Sequence, residues 1–437
     1  MLKVAKFGGS SLAGAEQFRK VKEIIEADPS RMCVVVSAAG KRNKKDSKIT
    51  DLLYLTHAHI NYGVSHEDIF SMIEQRYYGI RDELGLTYDL ESEFDRLRSE
   101  LDQDISVDYL VSRGEYLTAR LMSEYLGYGF LDAAKCVIFS YDGQIDYEKT
   151  YQAIAEKAVK MPRFVMPGFY GSLPNGRIRC MTRGGSDISG AIVARAAQAD
   201  IYENWTDVSG FLMADPRVVE NPRPIDTLTY RELRELSYMG ATVLHEDAIF
   251  PVHKAGIPTV IKNTNAPQDP GTMIVTKPTE ASYKSPITGI AGHKDFTLIS
   301  IEKAMMNSEL GFGRRVLQAL EDFGVSFEHL PTGIDTMCVV ISDRELSMTK
   351  TQIINRIQET CHPDSIEISG GLALIATVGY GMVKTRGTAA KLFAALSDAN
   401  VNVRMIDQGS SELNIIVGVD VDDFETALRA IYNAFVQ

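Results

Sequence analysis

Two Gly-Gly-Ser turns, each with a cation just ahead of it, are the residues of this chain best suited to chemistry. They are Lys6-Phe7-Gly8-Gly9-Ser10-Ser11 near the start and Arg183-Gly184-Gly185-Ser186-Asp187 further on. Adjacent glycines let backbone N–H groups turn into one concavity with no Cβ in the way, and a neighbouring lysine or arginine adds charge. Such a nest suits a phosphate, although Gly-Gly-Ser also describes many ordinary turns. The second turn also fits a plain helix start, with Ser186 or Asp187 as the cap and Ile188, Ile192 and Val193 as the apolar face. Recurrence shifts the balance: two nests can grip two parts of a polyphosphate, or a phosphate and a carboxylate.

Further candidates follow the same logic. Thr206-Asp207-Val208-Ser209-Gly210, then Asp215-Pro216-Arg217, reads as a strand, a glycine turn and a nucleotide loop. Ser112-Arg113-Gly114-Glu115 reads as a helix start, with Glu115 either functional or a surface carboxylate favoured by the helix dipole. The basic run Lys41, Arg42, Lys44, Lys45 reads as a solvated mobile loop. His245 and His253 read as structural rather than as metal ligands, and Trp205, the only tryptophan, as strand packing. No G-x-G-x-x-G follows a strand, which argues against a dehydrogenase.

The elements that must position these residues alternate. "LKVAKF", "MCVVVSAAG" (32–40), "CVIFS" (136–140), "RFVMPGFYG" (163–171), "DIYENWTDVSG" (200–210) and "PTVIKNT" (258–264) read as strands. Phe18, Val21, Ile24 and Ile25 mark a helix face after the first glycines, and residues 51 to 126 read as mainly helical, interrupted near Gly63 and Gly85. This is an α/β pattern with a largely parallel sheet, whose ligands bind beyond the carboxyl ends of the strands. The polar clusters GGSS, SAAG, PGFYG and WTDVSG all stand at such ends, which argues for one site built from several loops. A Pro/Thr/Ser-rich stretch (276–289) reads as a linker.

Beyond it lies an internal repeat. Residues 307–341 resemble 383–417 at a constant offset, pairing Gly311 with Gly387, Leu320 with Leu396, Val325 with Val401 and Gly333 with Gly409. Each copy reads strand, glycine loop, helix, two strands and helix. The second copy ends on its helix, so either its sheet is one strand short or the two modules lend strands to each other.

The bulk properties set limits. With 437 residues, two or three domains are expected, and a net charge of −12 argues against nucleic acid or an anionic membrane as the main partner. Five scattered cysteines form no CxxC pair, so neither a zinc site nor a disulfide framework is indicated and a reducing cytoplasm fits best. No leader or membrane span is read.

KFGGSS, RGGSD, TDVSG with DPR, and the run "GATVLHEDAIFPVHKAGIPTVIKNT" (240–264) together resemble the aspartate kinases of the amino-acid kinase superfamily, over essentially the whole chain. The resemblance implies an amino-acid-kinase-like catalytic domain (1–277) with its sheet sandwiched by helices, a linker (278–289), and two ferredoxin-like α+β ACT modules (290–370 and 371–437). It also implies a monofunctional enzyme that moves the γ-phosphoryl of ATP, with Mg²⁺, to the side-chain carboxylate of aspartate, the first step toward lysine, methionine and threonine. By resemblance, Lys6, Gly8, Gly9 and Ser10 hold the transferring phosphoryl and Asp187 orients Lys6. Arg183 takes the α-carboxylate and Glu115 the α-ammonium, with Ser37 and Thr50 near the reacting side chain. Thr206, Asp207, Leu212, Asp215, Arg217 and Lys262 fall in the nucleotide loops.

Met306, Gly311, Phe312, Glu328 and Asp335 are the implied effector residues, with lysine the first choice of inhibitor and threonine the second. A homodimer or homotetramer through the ACT modules is implied as well. Two departures stand out. Relatives commonly carry an aromatic where this chain has Leu212, beside Phe211, and Thr-Thr-Leu-Gly where it has Arg179-Cys180-Met181-Thr182. The alternatives are another amino-acid or carbamate kinase of the same fold, and an effector-binding protein whose catalytic domain has decayed.

Overall fold

The computed structural model describes residues 1–182, 184–241, 243–244 and 246–436, so Arg183 and His245 lie outside the described residues. The chain divides into two compact units. The first comprises Met1–Phe211, Pro224–Tyr230 and Thr242–Lys277; the second comprises Leu212–Arg223, Arg231–Ala241 and Pro278–Gln437.

The strands of the first unit are β1 (Lys3–Phe7), β2 (Arg31–Val36), β3 (Gly129–Phe130), β4 (Phe164–Pro167), β5 (Tyr170–Ser172), β6 (Ile178–Cys180), β7 (Ile201–Thr206), β8 (Thr227–Thr229), β9 (Thr259–Asn263) and β10 (Thr272–Val275). Its helices are α1 (Ala15–Glu26), α2 (Ile49–Asn61), α3 (Glu67–Leu84), α4 (Leu90–Ser99), α5 (Val107–Leu126), α6 (Tyr147–Lys160) and α7 (Gly185–Ala196); then come α8 (Tyr230–Tyr238), which belongs to the second unit from Arg231 onward, and α9 (Phe250–Ala255). Eight strands form one sheet in the order β3-β4-β2-β1-β7-β9-β10-β8, with β5 and β6 as a separate ribbon. Every neighbouring pair in the large sheet is parallel except β9 with β10. Val4, Ala5, Lys6 and Phe7 of β1 are all buried, so this central strand is covered on both faces. On α1, Phe18, Val21, Ile24 and Ile25 recur at helical spacing and are buried in the same core as Phe7.

One local expectation is corrected. Residues 136–140 form only isolated bridges, Ile138 to Ser172 and Phe139 to Ile145, because the Ile138 N–H donates to Thr150 Oγ1 instead of extending a ladder. Within the stretch read as a linker, residues 285–288 run against the chain at Gly379 and Gly381. The backbone at Ser285 and Ile287 lies so close to Gly381 and Gly379 that a Cβ there would approach to 1.8 and 2.6 Å.

The second unit holds β11 (Gly289–Glu302), β12 (Thr336–Ser342), β13 (Ser365–Val378), β14 (Val403–Asp407) and β15 (Asn414–Asp420), all antiparallel, in the order β12-β11-β13-β15-β14. Its helices, after the α8 segment, are α10 (Phe312–Glu321), α11 (Asp343–Leu346), α12 (Lys350–Cys361), α13 (Thr388–Asp398) and α14 (Phe424–Val436). The missing strand of the second repeat is found here. β11 and β13 are long strands, each serving both modules. The second half of β11 (from Phe296) pairs with β12 and with the first half of β13, around the core of Val316, Leu320 and Ile353. The first half (Gly289–His293) pairs with Val378–Leu374 of β13, which pairs in turn with β15, around the core of Leu392, Val417 and Leu428. The second module therefore takes its outer strand from chain that precedes the first module. In the first module, one expected strand is reduced to bridges at His329 and Thr332, where Pro331 between them offers no N–H to a ladder.

Candidate functional site

Loops at the carboxyl ends of β1, β2 and β4 meet the first turn of α7 and the middle of α5. After β1 the chain turns at Gly8 and enters a 3-10 helix, Gly9–Leu12. The Gly8 N–H donates to the Trp205 carbonyl at 3.0 Å, and the Gly40 N–H donates to the Gly9 carbonyl at 2.8 Å. A Cβ on Gly40 would lie 2.5 Å from the Gly9 carbonyl carbon, so these two loops touch backbone to backbone. After β4, the Gly168 N–H donates to the Val36 carbonyl, and Phe169 takes a φ of +75°, a conformation rarely adopted by a bulky residue. Ser189 Oγ accepts its N–H at 3.0 Å. Strain held by surrounding structure gathers at functional sites.

Lys6 is 6% exposed, and its Nζ lies 2.5 Å from Asp187 Oδ1. The same oxygen accepts from Asn204 Nδ2 at 2.8 Å, and the Asp187 carbonyl accepts from the Tyr202 hydroxyl. The β-pleat puts Lys6 and Asn204 opposite each other in the β1–β7 register, so both reach the face covered by α7. Gly184, with a φ of 68°, is the N-cap of α7, and no side chain caps that helix. The expected Ser or Asp cap is thus absent: Asp187 is turned to Lys6, and the helix N-terminus keeps its first N–H groups for another acceptor.

Glu115 corrects a second expectation. It stands in the middle of α5 rather than at its start, because Val107, Leu110 and Val111 carry the helical pattern well ahead of Ser112. Gly114 lets α5 approach closely, since a Cβ there would come within 2.8 Å of Ala38 Cβ. Glu115 is 4% exposed and its Oε2 has no hydrogen-bond partner. Burial pushes its pKa up to about 8, against a pull downward from the Ala38 N–H and Arg113. A buried carboxylate oxygen without a partner is costly unless a donor arrives. Arg113 itself lies buried among the rings of Tyr109, Tyr116 and Tyr170.

The remaining expected residues are distributed as follows. Ser37 directly follows β2 and donates its N–H to the Phe7 carbonyl, and Thr50 is in the first turn of α2, beside Ile49, whose N–H binds the Ala39 carbonyl. Thr206 ends β7 with its hydroxyl on Asp207. Lys262 lies on β9 rather than in a loop, with its Nζ 5.4 Å from the Trp205 ring centroid, and burial lowers its pKa. Trp205 is buried, stacked on Phe7, and donates to Glu203. Phe211 is 1% exposed in the first unit and so is not free to stack on a base, whereas Leu212 is 38% exposed in the second. Asp215 and Arg217 also belong to the second unit, where Arg217 donates to Asp215 Oδ1 through Nε and to Oδ2 through Nη2. Asn204 and Phe169 were missed by sequence reasoning. The strand pattern hides Asn204, but the Gly168 and Gly171 flanking Phe169 were a visible signal.

In the second unit, Gly311 (φ 80°) is the N-cap of α10, again with no side-chain cap. Met306 and Phe312 are buried in the first module's core. Both acids expected to meet a cationic effector are already engaged. Asp335 Oδ1 accepts the Met305 N–H at 2.8 Å, and Glu328 accepts from the Tyr238 hydroxyl.

Residues 1–263 match the amino acid kinase family and residues 375–435 match the ACT domain. The chain is 39% identical to aspartokinase 3 of Bacillus subtilis (strain 168) over 449 residues, covering 99% of this chain and 98% of that protein. The structure resembles the crystal structure of Clostridium acetobutylicum aspartate kinase, with a TM-score of 0.91, 53% identity and 99% of each chain covered. It also resembles E. coli aspartokinase III in complex with lysine and aspartate (T-state), with a TM-score of 0.76, 25% identity and 100% of each chain covered.

Proposed function

The chain belongs to the amino acid kinase family as an aspartate kinase with an ACT regulatory region, and from that premise we propose how its residues divide the work. The reaction moves the γ-phosphoryl of ATP to the side-chain carboxylate of aspartate and gives 4-phospho-L-aspartate. The nucleophile is ionised at neutral pH, so no general base is needed. The difficulty is electrostatic, an anion approaching a polyanion, and preorganised cations and N–H groups must offset the charge that gathers in the transition state.

The observation that carries this reading is the Lys6–Asp187 pair, which fixes an ammonium at the mouth of the Gly8–Ser10 turn and the uncapped N-terminus of α7. Lys6 and the N–H groups of that turn take the transferring phosphoryl. Glu115 takes the α-ammonium of aspartate on its unpartnered oxygen. Ser37 and Thr50 border the reacting carboxylate, and Arg183 takes the α-carboxylate by family resemblance. Thr206, Asp207 and Lys262 serve the nucleotide. Among the described residues no group of three or more His, Cys, Asp or Glu side chains could hold a metal ion. Mg²⁺ bound with ATP would offset the charge of its phosphates.

Lysine is the proposed feedback inhibitor, bound by the first ACT module at the N-terminus of α10, and the proposed assembly is a homodimer or homotetramer through these modules. The free thiols of all five cysteines suit a cytoplasmic enzyme. No helix of the described residues is long and apolar enough to cross a membrane. A coupled assay of ADP release with aspartate, glutamate, acetylglutamate and carbamate tests the reading. Release with aspartate alone is expected, and release with none of the four would overturn it.

A further inference from the structure

We propose that Arg76 is a positioning residue for phosphoryl transfer, clamping the segment from Ser37 to Thr50 against the phosphoryl cradle. Arg76 stands on α3, far in sequence from every motif, and is 6% exposed. Its Nη1 donates to the Gly40 carbonyl at 2.7 Å and to the Ala13 carbonyl at 3.3 Å. Its Nη2 donates to Asp46 Oδ2 at 2.5 Å and to the Ser47 carbonyl at 3.5 Å. One planar guanidinium thus joins the end of the cradle loop (Ala13), the end of the loop after β2 (Gly40) and the basic run beyond it. Asp46 is also gripped by Arg42 Nε at 2.9 Å, so the basic run, whose Lys41, Arg42, Lys44 and Lys45 are exposed as in the solvated loop read from sequence, closes on an internal anchor.

The two loops depend on this clamp unequally. The cradle has its own ties, the Gly8 N–H to Trp205 and the Ser11 hydroxyl to Thr264. Across residues 41–47 the hydrogen bonds to other described elements are those that Arg76 makes to Asp46 and Ser47. The segment it holds includes Ala38, which packs on α5 at Gly114 and whose N–H draws the Glu115 pKa downward, and Gly40, whose N–H bonds Gly9. Loosening the clamp should therefore blur the aspartate side of the site and leave the phosphate side in place. Placement errors of about 1 Å in a reacting group are enough to cost about a hundredfold in rate. A lysine cannot replace the clamp, because an ammonium lacks the planar fork that spans two directions at once.

This inference rests on the assignment of Lys6 and Glu115 above, and the experiment separates the two. Full-length Arg76→Met, Arg76→Lys, Asp46→Asn and Lys6→Ala would be compared by steady-state kinetics with each substrate varied, and by hydrogen exchange. For Arg76→Met the aspartate KM should rise about tenfold or more while the ATP KM stays within about twofold. Amides of residues 37–48 should exchange faster while those of residues 8–12 do not. Arg76→Lys and Asp46→Asn should shift aspartate KM in the same direction by less, and they carry the test if Arg76→Met does not fold. An unchanged aspartate KM in these variants, or an equal rise in both KM values, overturns the clamp. If Lys6→Ala turns over like wild type, the underlying site assignment fails instead.

Discussion

The Lys6 ammonium lies 2.5 Å from Asp187 Oδ1, so this cation of β1 is tied to the first turn of α7 and held there by a carboxylate that Asn204 also fixes. Lys6→Ala should lower kcat by about two to four orders of magnitude, the scale of losing a major electrostatic stabiliser. Asp187→Ala should lose much of the same factor. If the two residues act as one device, the double variant should be little worse than Lys6→Ala alone, and a double-mutant cycle on kcat measures this directly. Fully additive losses would show that Asp187 acts apart from Lys6.

Glu115 makes aspartate binding depend on pH. Its carboxyl is raised from 4.5 to about 8 by burial in the ligand-free protein, while an ammonium beside it favours the ionised form. Aspartate binding near pH 7 should therefore release up to one proton, read as a buffer-dependent binding heat, and aspartate KM should fall as pH rises toward about 8. The stability of the ligand-free protein runs the other way. Between 4.5 and about 8 the folded state holds a proton that the unfolded state lacks, so this group's contribution to stability declines as pH rises through that window. Glu115→Gln should remove both effects and raise aspartate KM, by an amount equivalent to about 2–5 kcal/mol.

Gly40→Ala tests the contact between the two loops. The new Cβ would stand 2.5 Å from the Gly9 carbonyl carbon and 2.8 Å from the Ser10 nitrogen, both backbone atoms with no rotamer to give way. Thermal unfolding should show a loss of about 1–3 kcal/mol, and kcat should fall because the cradle itself must move. Gly63→Ala provides a contrast. A Cβ there meets nothing within 4 Å, so any cost comes from its φ of +64° alone and activity should be kept.

Feedback control should show as inhibition of the full-length enzyme by lysine at millimolar levels or below, with a coupling of about 1–3 kcal/mol between effector and substrate. Glu328→Ala removes both an acid and the partner of the Tyr238 hydroxyl, and it should raise the half-inhibiting lysine concentration. Inhibition curves for lysine and threonine, alone and together, check this. No inhibition of wild type by either would end the feedback proposal and leave the catalytic one standing.

The shared strands predict how fragments behave. Residues 370–437 expressed alone contain β14, β15 and the second half of β13 but lack Gly289–His293, so β13 is left with an open edge. Such edges seek new partners. The fragment should associate or misfold, and appending residues 286–294 through a flexible link should yield a better-protected monomer, as read by sedimentation and hydrogen exchange.

What the sequence determined by itself is local or repeated. The apolar run of β1 between charged ends, the paired Gly-Gly-Ser turns, the α1 face and the matched glycines of the two modules each follow from short-range sterics and periodicity, and all are read without coordinates. The family is legible for the same reason: its motifs are short stretches in which backbone geometry dictates residue type. What only tertiary structure decided depends on distant chain. Read locally, Ser112-Arg113-Gly114-Glu115 looks like a helix start. Close packing on Ala38 makes that glycine an interior contact and leaves the carboxylate buried. From its local sequence Asp187 reads equally as a helix cap, and although family resemblance turns it toward Lys6, the competition is decided only where β1 brings Lys6 against α7. Arg76 carried no motif at all, and its role exists only where three loops meet. The strand missing from the second module lay ahead of the first, since a β-ladder fixes which edges pair without regard to their order along the chain.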